Sequence, residues 1–149
     1  FISLYDKMIV ALLLLIINIW IFITTRQPQK LKEIREKYKI LREHIKTVED
    51  EKFNNIKSEI PLVAFKRIGG PVGYNTNKGQ EIGICLKGDV NEIFHVLLHE
   101  LAHSTVKEYS HSKQYWKNFK ELREMATSLG IYDEIPDRTA FCGRHIQDK

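Results

Sequence analysis

The chain opens on an unbroken apolar run. Met8 to Ile23 reads MIVALLLLIINIWIFI, in which Asn18 alone is polar. As a helix that run measures about 24 Å, slightly short of a hydrocarbon core of about 30 Å. Phe1, Ile2, Leu4 and Tyr5 extend it, and Tyr5 and Trp20 suit the two interfaces. A cleaved signal peptide wants a basic leader and a small-residue cleavage site. Here Asp6 offsets Lys7, and Thr24-Thr25-Arg26 is a poor cleavage match. The pattern therefore predicts a transmembrane anchor over residues 1–25.

Polar and apolar positions then begin to alternate in turns. Leu31, Ile34, Tyr38, Leu41, Ile45 and Val48 follow one another at steps of three and four, the spacing of a heptad seam. Pro28 suits the start of such a helix, and Glu/Lys pairs fill its outer face. Residues 26–58 are thus predicted as a basic juxtamembrane helix with two outcomes for its apolar seam. One is a short coiled coil that joins two anchored chains as a homodimer through residues 31–48. The other is an amphipathic helix lying on its own domain or on lipid headgroups.

Near Glu59 the pattern changes again. Pro61 ends helical character. Leu62 to Phe65 reads as a strand and Gly69-Gly70-Pro71 as a loop. Val72–Thr76 and Glu81–Leu86 flank Asn77-Lys78-Gly79, which predicts a β-hairpin. Asp89 to His103 reads as one helix, opened by a capping box of Asp89 with Glu92 and buried through Ile93, Phe94, Leu97, Leu98 and Leu101. A second helix spans Ser112 to Leu129, and its Tyr115, Trp116, Phe119 and Leu122 read as core packing. Residues 59–149 are accordingly predicted as a small α+β domain: a short sheet, and a helix packed on a second helix.

Charge adds an orientation. The formal net charge is +4. Between Arg26 and Lys46 there are eight Lys/Arg against three Asp/Glu, whereas Glu59 to Lys149 carries twelve of each. A neutral domain is a poor electrostatic partner for phosphate, so strong nucleic-acid binding is not expected. Basic residues just after the span predict that the C-terminal side faces the cytosol. The two cysteines, Cys85 and Cys142, are too few for a disulfide scaffold and form no CxxC pair. In a reducing compartment they are expected as free thiols, and in an extracellular one as a single disulfide.

The chemistry lies in His99-Glu100-Leu101-Ala102-His103, an HExxH motif within the first of these helices. Residues four apart project from one face of a helix about one turn apart, so His99 and His103 can converge on one Zn²⁺. Glu100, one step around, is free to act as general base toward zinc-bound water. Two histidines and a glutamate buried without partners would cost several kcal/mol, which favours a metal over an incidental buried helix. His95, one turn earlier, cannot share that ion because three turns span too far, and it is expected as a packing or surface residue. A third ligand is needed. His111 leads, with Glu121 and Glu124 on the second helix as rivals and His44 and His145 behind them. Tyr74, Tyr109, Tyr132, Arg138 and Arg144 are all candidates to stabilise an oxyanion.

Leu98-His-Glu-Leu-Ala-His103, followed by His111 and Tyr115-Trp116, resembles the WLM and SprT-like zinc metallopeptidases, and most closely the relatives encoded by large DNA viruses. The resemblance extends through Tyr74-Asn-Thr-Asn-Lys78, Cys85-Leu86, Ser110-His111, Gly130-Ile-Tyr132 and Phe141-Cys-Gly143, covering about Val72 to Gly143. This chain departs from the pattern at Ser110, where Gly is usual, and at Phe141, where Tyr is usual. The resemblance implies a zincin-like α+β peptidase with metal ligands His99, His103 and His111 and catalytic Glu100. Cellular relatives cleave proteins crosslinked to DNA.

Together these readings predict a membrane-anchored zinc metalloendopeptidase that acts on a protein or peptide substrate, its domain facing cytosol or a virion interior. The alternative is a structural membrane protein of a virion, in which zinc merely staples a small fold. That alternative calls for a fourth protein ligand, with Cys142 as the residue to check.

Overall fold

The computed structural model describes residues 1–66 and 69–148. Helix α1, Leu4–Thr25, covers the apolar run and buries none of its residues against the rest of the chain. Ser3 and Asp6 close a capping box at its start. Its polar side chains turn back on their own helix: Asn18 Nδ2 donates to the Leu14 carbonyl at 2.8 Å, and Thr25 Oγ1 to the Ile21 carbonyl at 2.7 Å. The polar amide and hydroxyls of Asn18, Thr24 and Thr25 are thereby satisfied within the helix, and by length and composition α1 can cross a membrane.

Helix α2, Gln29–Ile45, follows after three residues. Its seam of Leu31, Ile34, Tyr38, Leu41 and Ile45 is buried within the same chain, each at most 5% exposed. The seam that could have paired two chains is therefore filled from inside one, and the helix lies on its own domain. Polar contacts fix it there. Lys30 Nζ donates to the Gly88 carbonyl, Arg35 to Leu62 and Lys37 to Ile131, while the Tyr38 hydroxyl accepts from Ile60 N. Several of the basic residues that predict a cytosolic orientation are thus docking groups of the fold. A 3₁₀ stretch, Glu51–Ile56, adds Phe53 and Ile56 to the same core.

The main sheet has three strands: β1 (Leu62–Phe65), β2 (Gly73–Thr76) and β3 (Glu81–Cys85), in the order β1-β3-β2. β3 is central, parallel to β1 and antiparallel to β2. The β2–β3 turn holds Asn77, Lys78 and Gly79 at positive φ, as a tight hairpin of this composition requires. Alternation along β2 separates its two faces. Tyr74 lies over Gly83, stacks on Phe65 and donates to Glu81. Gly73 and Asn75 face the opposite way, toward helix α3, Val90–His103.

α3 is the centre of the core. Nine of its fourteen residues are buried, because strands cover one side while α2 and helix α4, Lys113–Ser128, cover others. Ser112 caps α4 by accepting from Tyr115 N at 3.1 Å. A second sheet, β4 (Thr139–Phe141) paired with β5 (Arg144–Ile146), forms an antiparallel hairpin. Sequence patterning missed it because strands of three residues carry too few positions for alternation to register. The hairpin turn brings Cys142 to Cys85 at the end of β3, and the two form a disulfide 57 residues apart in sequence. This corrects the expectation of two free thiols, since sequence spacing gives no sign that a terminal hairpin folds back onto β3.

Candidate metal centre

The C-terminal end of α3 is held from several sides. Asn75 Nδ2 donates to the Glu100 carbonyl and to Ser104 Oγ, both at 2.7 Å. Lys78 Nζ donates to the carbonyls of His103 and Glu108, and Asn55 Nδ2 to that of Ser104. Asn118, fully buried on α4, donates to Thr105 Oγ1 at 2.8 Å. Carbonyls that a helix terminus leaves unpaired thus receive donors, and the turn carrying the chain from His103 to His111 is fixed.

That turn returns His111 to the helix. Its Nε2 lies 3.2 Å from His99 Nε2 and 3.1 Å from His103 Nε2. Nitrogens sharing a tetrahedral zinc at about 2.05 Å would stand about 3.3 Å apart, so the observed spacing fits one ion. All three donor atoms lie within 4.8 Å of one another. Among the sequence candidates for the third ligand, the structure brings His111 to the pair. Glu121 is instead paired with Lys52 at 2.6 Å, and Glu124 with Lys120 on the outside of α4. His44 sits near the end of α2, while His145 lines the cleft without joining the cluster.

Aromatic rings hold the imidazoles. Tyr115 donates to the His99 carbonyl at 3.0 Å, and its ring packs within 4.6 to 5.5 Å of all three histidine rings. Trp116 packs on His111 and His99, and Phe119 on His99. Read from sequence only as core packing, these residues also orient the site; their signal was the placement of Tyr115-Trp116 four residues after His111.

Burial, reinforced by the neighbouring imidazoles, drives His99 down to about 3, and burial with His111 beside it drives His103 down to about 4. Both rings are therefore neutral at ordinary pH, the state in which a histidine offers a lone pair to a metal. Burial pushes the Glu100 carboxyl up to about 7. Glu100 lies against Gly73, whose missing side chain leaves room for it.

These groups open onto a cleft of about 1060 Å³. Its walls are β2 with the loop before it, the β4–β5 hairpin, and α3 with α4. Of the five oxyanion candidates, Tyr109, Arg138 and Arg144 line it. Tyr74 faces the far side of the sheet, and Tyr132 is buried on Asp148 at 2.6 Å. His95 proves to be a packing residue: it is 4% exposed, and its Nδ1 meets Asp148 at 2.8 Å. Cys142, the residue that could have closed a structural zinc site, is bonded to Cys85.

The fold and site define a protein whose central helix presents His99, His103 and a buried glutamate, with His111 from the turn that follows completing a three-histidine cluster able to hold a metal ion. The chain belongs to the WLM domain family, whose profile matches residues 63–146. It is 32% identical over 108 residues to an uncharacterised protein of Acanthamoeba polyphaga mimivirus, covering 66% of this chain and 55% of that protein. It is 38% identical over 89 residues to an uncharacterised protein of Invertebrate iridescent virus 6, covering 54% and 47%. The chain thus spans about half the length of these curated relatives. Among solved structures, the crystal structure of the metallopeptidase zymogen of Pyrococcus abyssi abylysin aligns with a TM-score of 0.42 and 20% identity, over 62% of this chain and 87% of that one.

Proposed function

We propose that the chain is a membrane-anchored zinc metallopeptidase, with His99, His103 and His111 as metal ligands and Glu100 as general base. The observation that carries this reading is the convergence of three imidazole Nε2 atoms beside a buried carboxylate in an open cleft. Three neutral imidazoles suit zinc among the common divalent ions, and three protein ligands are the number a catalytic site retains. A cation bound there would supply Lewis acidity toward a peptide carbonyl and toward water.

The chain's own residues supply the remainder. Glu100 takes a proton from the attacking water and returns it to the leaving amine, a task suited to a carboxyl that titrates near neutrality. The aromatic seat under the three imidazoles limits their rotation, so no ordering of the ligands is left for the moment of binding. Tyr109 lines the same cleft and would offer a donor to a developing oxyanion. α1 serves as the anchor. Only residues 26–28 separate it from α2, a reach of about 10 Å at most, so the domain would sit close above the bilayer.

The test is Glu100→Gln in the full chain. Zinc measured by elemental analysis should remain stoichiometric, while peptide cleavage falls about 10²- to 10⁴-fold. Undiminished cleavage would reject the assignment of the base, and purified protein that takes up no metal would reject the enzyme.

A further inference from the structure

One wall of the cleft is cationic. Arg138, Arg144 and His145 all come from the segment forming the β4–β5 hairpin, and Lys78 also lines the cleft. Among the described residues that line the cleft, Glu100 is the one carboxylate, and the proposed chemistry already uses it. Neither arginine meets an acid among the described residues. Arg138 contacts His145 Nδ1 at 3.2 Å, and Arg144 Nε donates to the Gly70 carbonyl at 2.7 Å. The cleft thus presents two guanidinium groups and, apart from Glu100, no carboxylate among the described residues that line it.

The wall is also held in place. The Cys85–Cys142 disulfide ties the hairpin turn to β3, and Phe141 packs over Gly88 so closely that a Cβ there would fall 2.3 Å from its ring. Val96, Phe119 and Ile146 make the adjoining surface apolar, which strengthens a nearby charge by excluding water.

We propose that this wall selects peptides with an acidic side chain beside the bond to be cut, Arg138 or Arg144 pairing with its carboxylate. The inference rests on the peptidase reading above. It favours a peptide over nucleic acid because two guanidinium groups at a cleft, in a charge-balanced domain, are far from the basic stripe that a phosphate backbone needs.

The experiment uses the full chain in detergent micelles carrying Glu100→Gln, so that binding is read without turnover. Matched fluorescent peptides with acidic, neutral or lysine-rich flanks are titrated by anisotropy. The acidic peptide is expected to bind about tenfold more tightly than the neutral one, as two exposed ion pairs allow. Arg138→Glu with Arg144→Glu should reverse the order, so that the lysine peptide binds best, with the melting temperature checking that the fold persists. If that pair unfolds, Arg138→Glu alone and Arg144→Gln should each erode the preference. Equal binding of all three peptides, or a preference that survives charge reversal, overturns the proposal. So does a short DNA duplex that displaces the acidic peptide and loses its affinity on reversal. Cleavage of the same peptides by the unsubstituted chain separates the two readings. If no peptide is cut while reversible acidic preference remains, the peptidase reading has failed. If peptides are cut without regard to charge, the specificity proposal has failed.

Discussion

Gly73 lies against the Glu100 side chain: a Cβ on Gly73 would stand 3.1 Å from Glu100 Oε1 and 2.6 Å from Val96 Cγ1. The strand and the helix are in contact here because one position has no side chain. Gly73→Ala should therefore push the carboxylate aside without disturbing the histidines. The expected result is a fall in peptide cleavage of about tenfold or more, since small misplacements of a reacting group are costly, with metal content unchanged. Unaltered cleavage would show that Glu100 does not need this seat.

The third ligand invites a paired comparison. His111 converges on His99 and His103 within 3.2 Å, while Glu121 is engaged with Lys52. His111→Ala should weaken zinc binding by at least about 10²-fold, because a two-histidine site loses the geometry that a three-ligand site provides. Glu121→Gln should leave zinc affinity where it was and cost at most about 1 kcal/mol of stability. Competition with a chromogenic chelator measures the first and urea unfolding the second. Metal loss from Glu121→Gln alone would overturn the ligand set.

Much of this site can be read in the sequence, for a physical reason. Helix periodicity places His99 and His103 on one face regardless of what surrounds them, and Asp89 with Glu92 marks the start of that helix. β1 and the β2–β3 hairpin fall where branched and aromatic residues alternate around Asn77-Lys78-Gly79. Long-range relations are not legible in this way. The seam of α2 reads identically whether its partner is a second chain or its own α3. The disulfide depends on a terminal hairpin of two three-residue strands. Asn75 and Lys78, which secure the carbonyls at the end of α3, look like ordinary turn residues until the fold brings them across.

The disulfide closes a loop of 57 residues spanning β3, α3, α4 and β4. Constraining such a loop in the unfolded chain is worth about 4 kcal/mol in the chain-entropy account. Cys85→Ser with Cys142→Ser should lower unfolding stability by an amount of that order, and a reductant should reproduce the loss in the parent chain but not in the variant. Urea unfolding with and without reductant checks this. Equal stability in all four conditions would mean that the bridge contributes nothing.

Asp148 gives the domain a marked acid dependence. Burial alone would raise its carboxyl, but hydrogen bonds from His95, Tyr132 and Ile135 N outweigh that and hold it down at about 2. Arg123 adds an ion pair at 3.1 Å. A carboxyl depressed in the folded state favours folding wherever it is ionised, so its contribution is complete above the unfolded value of about 3.8. As pH falls from there toward 2, protonation removes that contribution, and stability drops across this window. Asp148→Asn should be less stable than the parent at neutral pH, because Arg123 loses its buried counter-charge and one carboxylate acceptor oxygen gives way to an NH₂ donor. It should also show a flatter stability profile between about pH 4 and 2. Chemical unfolding at a series of pH values compares the two slopes. Parallel profiles would place the acid sensitivity in some other carboxylate and leave Asp148 as a spectator of the His95–Tyr132 packing.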